Sequence, residues 1–243
     1  MQKTDINKLN VKIFADGADL KTIKNFNEKK FIKGFTTNPT LMRKAGIEDY
    51  KKFALEAIKI VKDKPISFEV FADDFDEMEA QAMEIYTWGK NANVKIPITN
   101  TKNQSSVDLI KKLSNRGVVC NITAIFTLQQ LRGVLEVINS ETPAILSIFA
   151  GRIADSGVDP EETMREAVNL AKAKPKSSIL WASTREILNI FQAEKTGCQI
   201  VTVPNEILKK ISGIGKDLKQ SSLDTVSMFY QDAKDAGYKI KTK

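Results

Sequence analysis

One lysine in this 243-residue chain stands where charge is rare: Lys95 lies between apolar neighbours in Asn93-Val94-Lys95-Ile96-Pro97-Ile98. Two carboxylates interrupt apolar runs in the same way. Asp16 ends Lys12-Ile13-Phe14-Ala15-Asp16, and Glu69 sits within Ser67-Phe68-Glu69-Val70-Phe71. Burying a charge is costly unless it is paired or put to use. A buried lysine amine is a nucleophile for ketones and forms an iminium electron sink, and carboxylates beside it can move protons. The chain has no histidine. That excludes Ser-His-Asp and Cys-His catalysis and histidine-rich metal sites, and leaves acid–base work to carboxylates, lysine or tyrosine. Arg152 and Arg185 add fixed charge in a fork geometry suited to phosphate. Together these residue types point to carbon–carbon bond cleavage in a phosphorylated ketose, with no metal and no cofactor. A structural ion cluster, in which Asp16, Glu69 and Lys95 merely satisfy one another, is the competing reading.

Residues so far apart need a scaffold that gathers them. Eight short apolar runs, at 12–16, 34–38, 66–71, 93–98, 118–126, 144–151, 178–184 and 199–204, read as strands covered on both faces. Between them the period becomes helical. Phe53, Ala57, Ile60 and Val61 share one face of 48–63, and Leu128, Leu131, Leu135 and Ile138 do so after the fifth run. Asp159-Pro160-Glu161-Glu162 opens a helix with a capping residue, a first-turn proline and a glutamate three after the cap. A further helix covers 184–195 with Gly197 as its stop, and 221–237 forms a last amphipathic helix through Leu223, Val226, Phe229, Tyr230 and Ala233.

Eight strand–helix alternations without a linker predict an α/β fold: a single (β/α)8 TIM barrel over 1–243, its last helix packing on the barrel or on a neighbouring subunit. A doubly wound sheet is disfavoured, because no Gly-x-Gly-x-x-Gly follows the first strand. Ser212-Gly213-Ile214-Gly215 comes late and reads as a turn. Barrel enzymes gather their chemistry at the C-terminal strand ends. Those ends are where the apolar pattern breaks here, at Asp16, Thr36-Thr37-Asn38, Glu69, Lys95, Asn121 with Thr123, Ser147 with Arg152, and Ser183 with Arg185.

Composition narrows the partners. Hydrophobic residues make up 42% and charged residues 28%, the balance of a globular protein with a sizeable core. No apolar run approaches the roughly 20 residues needed to span a bilayer. Met1-Gln2-Lys3-Thr4-Asp5 has no apolar signal region, so the expected compartment is the cytoplasm and no membrane partner is expected. The net charge of +7 is spread along the chain, and aromatics, at 7%, do not interleave with a basic stripe. Nucleic acid is therefore not the expected partner. Cys120 and Cys198 lie in separate apolar runs without a Cys-x-x-Cys unit, as buried thiols would. Asn121-Ile122-Thr123 and Asn103-Gln104-Ser105 match a glycosylation pattern that a cytoplasmic chain would not use.

Phe14-Ala15-Asp16-Gly17, Thr36-Thr37-Asn38-Pro39-Thr40-Leu41, Glu69-Val70, Val94-Lys95-Ile96-Pro97, Cys120-Asn121-Ile122-Thr123, Phe149-Ala150-Gly151-Arg152-Ile153 and Ala182-Ser183-Thr184-Arg185 together resemble the transaldolases, in shared order and spacing over 14–208. The resemblance implies a barrel of the class I aldolase type, with Lys95 as the Schiff-base lysine and Asp16 as the base for the ketose C4 hydroxyl. It implies that Glu69 and Thr123 hold a catalytic water. Asn38, Asn121 and Ser147, backed by Thr36 and with Phe149 nearby, are implied to hold the dihydroxyacetone part. Arg152, Ser183 and Arg185 are implied to form the phosphate site.

The implied reaction moves a three-carbon ketol unit from sedoheptulose 7-phosphate to glyceraldehyde 3-phosphate, giving erythrose 4-phosphate and fructose 6-phosphate. Related fructose 6-phosphate aldolases release free dihydroxyacetone and tend to carry glutamine and tyrosine where this chain has Glu69 and Phe149, so transfer is the favoured reading. A transaldolase-like enzyme for another sugar phosphate, or a barrel that only binds sugar phosphates, are the rivals. The chain departs from well-known members in its shorter length and in Ile148, where many have proline. The compact branch implies a homo-oligomer, pentamer or decamer, and the setting is the pentose phosphate pathway or a specialised sugar synthesis.

Overall fold

Eight parallel strands pair in sequence order and close on themselves in a computed structural model that describes residues 5–242. Met1–Thr4, most of the segment read above for signal character, lie outside the described residues, as does Lys243. The strands are β1 (Lys12–Asp16), β2 (Ile32–Thr36), β3 (Ile66–Glu69), β4 (Ala92–Pro97), β5 (Cys120–Ile125), β6 (Ala144–Ile148), β7 (Ser177–Trp181) and β8 (Ile200–Pro204). β8 pairs with β1 from Lys12↔Ile200 to Asp16↔Pro204, which shuts the barrel. The fold is the (β/α)8 TIM barrel.

The helices between the strands are α1 (Leu20–Asn27), α2 (Pro39–Lys44), α3 (Tyr50–Val61), α4 (Phe75–Tyr86), α5 (Val107–Asn115), α6 (Leu128–Val137), α7 (Ala150–Asp155), α8 (Pro160–Ala171) and α9 (Leu188–Thr196). After β8 come α10 (Asn205–Leu208) and α11 (Leu218–Asp235).

Alternation along each strand sorts the side chains into two cores. Ile13, Ala15, Phe35, Phe68, Val94 and Ile122 join the large core beneath the helices. Phe14, Ile145, Leu180, Ala182 and Ile200 form a separate cluster within the barrel. Asp16 lies two residues beyond Phe14 and Ser147 two beyond Ile145, so both continue the inward face toward the C-terminal mouth. The strands read as near-continuous apolar runs because both faces are buried over most of their length.

Several expected strands overran their C-terminal ends. β2 stops at Thr36, because Asn38 caps α2 and Pro39 is its first residue. β6 stops at Ile148, because α7 begins at Ala150. α9 begins at Leu188 and not at 184. Asn189 Oδ1 instead accepts from the backbone of Arg185 and Glu186, holding 184–187 as a loop. Gly197 does end α9, in the left-handed conformation at φ 81°. At α8, Asp159 caps and Pro160 leads as expected, but the cap bonds the Glu161 N–H. α11 buries none of its residues, and Leu223, Val226, Phe229 and Tyr230 stand 58–70% exposed. Among the described residues no helix is long and apolar enough to cross a membrane.

Candidate active site

Lys95 and Glu69 are register partners on β4 and β3. Lys95 is only 8% exposed, and its Nζ lies 2.9 Å from Glu69 Oε2. It also donates to the Thr37 carbonyl at 3.3 Å. Asp16 stands apart from this pair. Thr36 Oγ1 donates to Asp16 Oδ1 at 2.8 Å and bonds the hydroxyl of Thr202 on β8. Burial pushes the Asp16 carboxyl above the ordinary carboxylate range, and the charges of Glu69 and Glu206 push the same way. The Lys95 charge and the Thr36 hydrogen bond oppose them. The three ionisable groups therefore do not simply cancel: Glu69 takes the lysine, and Asp16 is left on a threonine pair.

On the other side of Lys95, Asn121 is its register partner on β5. Ser147 Oγ donates to Asn121 Oδ1 at 2.6 Å, and Asn121 Nδ2 donates to Ser67 Oγ at 3.0 Å. All three residues are buried, so the amide is held at both ends. Thr123 is buried, and its Oγ1 has no hydrogen-bond partner among the described residues. A buried hydroxyl without a partner is uncommon and suits a group that serves a substrate or water. Asn38 spends its Oδ1 on the Leu41 N–H at 2.9 Å, the cap of α2, which fixes its amide at the edge of the site.

The phosphate-type residues meet where α7 touches the loop after β7. Gly151 N donates to Ala182 O at 3.2 Å, and a Cβ on Gly151 would fall 1.6 Å from Ser183 O. Only glycine fits there, and Ser183 itself adopts φ 64°. This close approach carries Arg152, Ser183 and Arg185 to one side of the mouth. The Arg152 guanidinium lies 5.5 Å over the Phe149 ring, which packs 5.7 Å from Phe126. Arg185 forks onto Asp155, with Nε 3.1 Å from both carboxylate oxygens, and this bond holds the Asp155 carboxyl below its usual range. Both arginines are exposed, and Arg185 would have to give up or share its Asp155 bond to take another anion.

Reading the sequence alone missed Thr202 and Tyr50, and gave Ser67 and Thr37 no part of their own. Thr202 carried the same signal as Lys95, a polar residue inside Ile200-Val201-Thr202-Val203. Ser67 lay in a quoted run without being singled out. Tyr50, whose hydroxyl donates to the Glu69 carbonyl at 2.8 Å, sits at a helix start with no local mark of function.

The model of one protein family, described as Transaldolase/Fructose-6-phosphate aldolase, matches residues 13–242. A relative from Dehalococcoides mccartyi described as "Probable transaldolase" is 36% identical over 203 residues, 83% of this chain and 90% of its own. One of the same description from Nitrosopumilus maritimus is 32% identical over 83% of this chain and 87% of its own. Another, from Thermoanaerobacter sp., is 32% identical over 95% of this chain and 100% of its own. Among solved structures, an orotidine 5'-monophosphate decarboxylase from Metallosphaera sedula aligns with a TM-score of 0.55 at 12% identity, over 86% of this chain and 98% of that one. That is a likeness of fold alone. The family match runs from the first strand through the last, and the chain belongs to the transaldolase/fructose-6-phosphate aldolase family of enzymes.

Proposed function

We propose that this protein is a transaldolase that forms a Schiff base through Lys95 and carries a dihydroxyacetone unit between sugar phosphates. The observation that carries this reading is a buried lysine with one carboxylate at 2.9 Å, set among buried amides and hydroxyls at the C-terminal mouth of a barrel. Lys95 passes a proton to Glu69, its partner at 2.9 Å. The free amine adds to the C2 carbonyl of a ketose phosphate, and that proton leaves with the C2 oxygen as water to give an iminium, with Glu69 and Thr123 holding the water. Asp16 takes the C4 hydroxyl proton as the C3–C4 bond breaks. The bonding electrons pass to the iminium as an enamine, and the aldose leaves. The enamine adds to an acceptor aldehyde, Asp16 returns its proton, and water frees Lys95. A carboxyl raised by burial is better matched to this two-way transfer than an ordinary aspartate.

Asn38, Asn121 and Ser147, with Thr36 behind them, hold the dihydroxyacetone part in this reading. Arg152, Ser183 and Arg185 take the phosphate. Transfer is favoured over release of free dihydroxyacetone by Glu69 and by Phe149, whose ring offers no hydroxyl to protonate the enamine. The donor and acceptor are sedoheptulose 7-phosphate and glyceraldehyde 3-phosphate, the setting is cytoplasmic, and the exposed apolar stripe of α11 supports assembly with further copies of the chain.

Borohydride reduction in the presence of fructose 6-phosphate, followed by peptide mass mapping, tests the proposal. A dihydroxyacetone-sized adduct on Lys95 supports both imine formation and cleavage. No adduct on Lys95, with fructose 6-phosphate or with sedoheptulose 7-phosphate, overturns it. Dihydroxyacetone released without an acceptor would place the enzyme on the aldolase side of its family.

A further inference from the structure

Tyr50 opens α3 and lies in no strand, yet its hydroxyl donates to the Glu69 carbonyl. The reason lies in the ladder between β2 and β3. Phe35 N donates to Pro65 O at 2.8 Å, and Thr37 N donates to Ser67 O at 3.1 Å. The next rung of this parallel ladder would join the N–H of residue 39 to the carbonyl of Glu69. Residue 39 is Pro39, which has no N–H, and the chain has already turned into α2. The Glu69 carbonyl thus lacks its ladder donor, and a part-buried carbonyl without a partner is costly. The Tyr50 hydroxyl fills that place.

The phenol is set up to do so. The Tyr50 ring meets Phe68, Phe71 and Trp88 edge to face at centroid distances of 6.3, 5.1 and 5.5 Å, so its hydroxyl arrives from a fixed direction. Burial pushes the phenol well above its ordinary range, and the Glu69 charge adds to this, which keeps it a neutral donor. On the opposite edge of β3, Val70 N donates to Lys95 O at 3.1 Å. The Glu69 segment is therefore tied on both edges.

We infer that Tyr50 is a positioning residue for the reaction: a surrogate rung that replaces the missing N–H of Pro39 and holds the Glu69 backbone so that its carboxylate stays on Lys95. The catalytic part of this inference rests on the proposed function, in which Glu69 serves the making and breaking of the imine. Tyr50→Phe keeps the ring packing and removes only the donor. A misplacement of about 1 Å can cost about a hundredfold in rate, so kcat is expected to fall roughly ten- to a hundredfold while KM for the sugar phosphate stays within about twofold.

Tyr50→Phe and Glu69→Gln act on one carboxylate. The double variant should therefore lose no more activity than Glu69→Gln alone. A crystal structure of Tyr50→Phe needs no reaction, and should show Lys95 Nζ and Glu69 Oε2 separated beyond the roughly 4 Å limit of an ion pair. An intact pair with unchanged kcat overturns the inference. So does a lowered melting temperature with unchanged kcat, or losses that multiply in the double variant. If the wild type forms no adduct on Lys95 but the pair still breaks in Tyr50→Phe, the positioning of Glu69 stands and the reaction reading falls.

Discussion

Replacing Lys95 by alanine should separate the chemistry of the site from its electrostatics. Without the amine no imine can form, so turnover and adduct formation should both be lost. The same change strips Glu69 of the partner that lies 2.9 Å away, and the two side chains are only 10% and 18% exposed. Breaking a fully buried ion pair by removing one partner costs about 3–5 kcal/mol. The mouth of the barrel admits some solvent to Glu69, so a loss of about 1–3 kcal/mol is expected here. For a chain of this size that is a fall of about 2–12 °C in the melting temperature, short of unfolding the barrel at room temperature.

Adding Glu69→Gln should recover part of the loss, because an amide needs no counterion. The assay is thermal melting of the wild type, both single variants and the double variant, run beside turnover of fructose 6-phosphate. If Lys95→Ala melts with the wild type and Glu69→Gln restores nothing, the pair has no energetic weight and the geometric reasoning is wrong. Turnover that survives in Lys95→Ala would refute the Schiff-base reading itself.

Other changes probe the rest of the mouth. Arg185→Ala removes an ionised hydrogen-bonding partner worth about 1.5–3 kcal/mol and should raise KM for phosphorylated substrates about ten- to a hundredfold. An equal rise for the unphosphorylated sugar would place the phosphate elsewhere. Gly151→Ala drives a Cβ onto Ser183 O and should cost about 1–3 kcal/mol in stability with weakened phosphate binding; wild-type melting and KM would refute the tight approach. Asp16→Asn should abolish cleavage and stabilise the fold near neutral pH. The folded Asp16 carboxyl titrates above its ordinary value of 3.8, so the native state binds the extra proton. Its favourable contribution is full below about pH 3.8 and is lost as pH rises through the folded value. The stability gain of Asp16→Asn should therefore appear at neutral pH and vanish as pH falls toward 4, and a pH-independent gap between the two melting curves would count against the raised carboxyl.

The strands were legible because they are buried on both faces, under helices outside and against Phe14, Ile145, Leu180 and Ile200 inside. Their ends were not, because Asn38 caps and Ala150 opens helices of only six residues, too few to show a period. The candidate site was legible for a physical reason. A charge or amide inside an apolar run is costly, so Lys95, Glu69, Asp16 and Asn121 announced themselves. Thr202 escaped because threonine is at home in strands, where its hydroxyl raises no alarm. Arg185 was visible, but its tie to Asp155, 30 residues away, was not.

Pro39 joins the two levels. In the sequence it is the proline of Thr36-Thr37-Asn38-Pro39, a sign that a strand ends and a helix begins. In the fold the missing N–H of that proline leaves the Glu69 carbonyl without its ladder donor, and Tyr50 supplies one from a helix start 11 residues later. A motif records which residues stop a strand. Which side chain then takes up the interrupted hydrogen bond is decided by packing, here by three aromatic rings around one phenol. The carboxylate that meets Lys95 thus depends on a residue that no local pattern in the sequence marks.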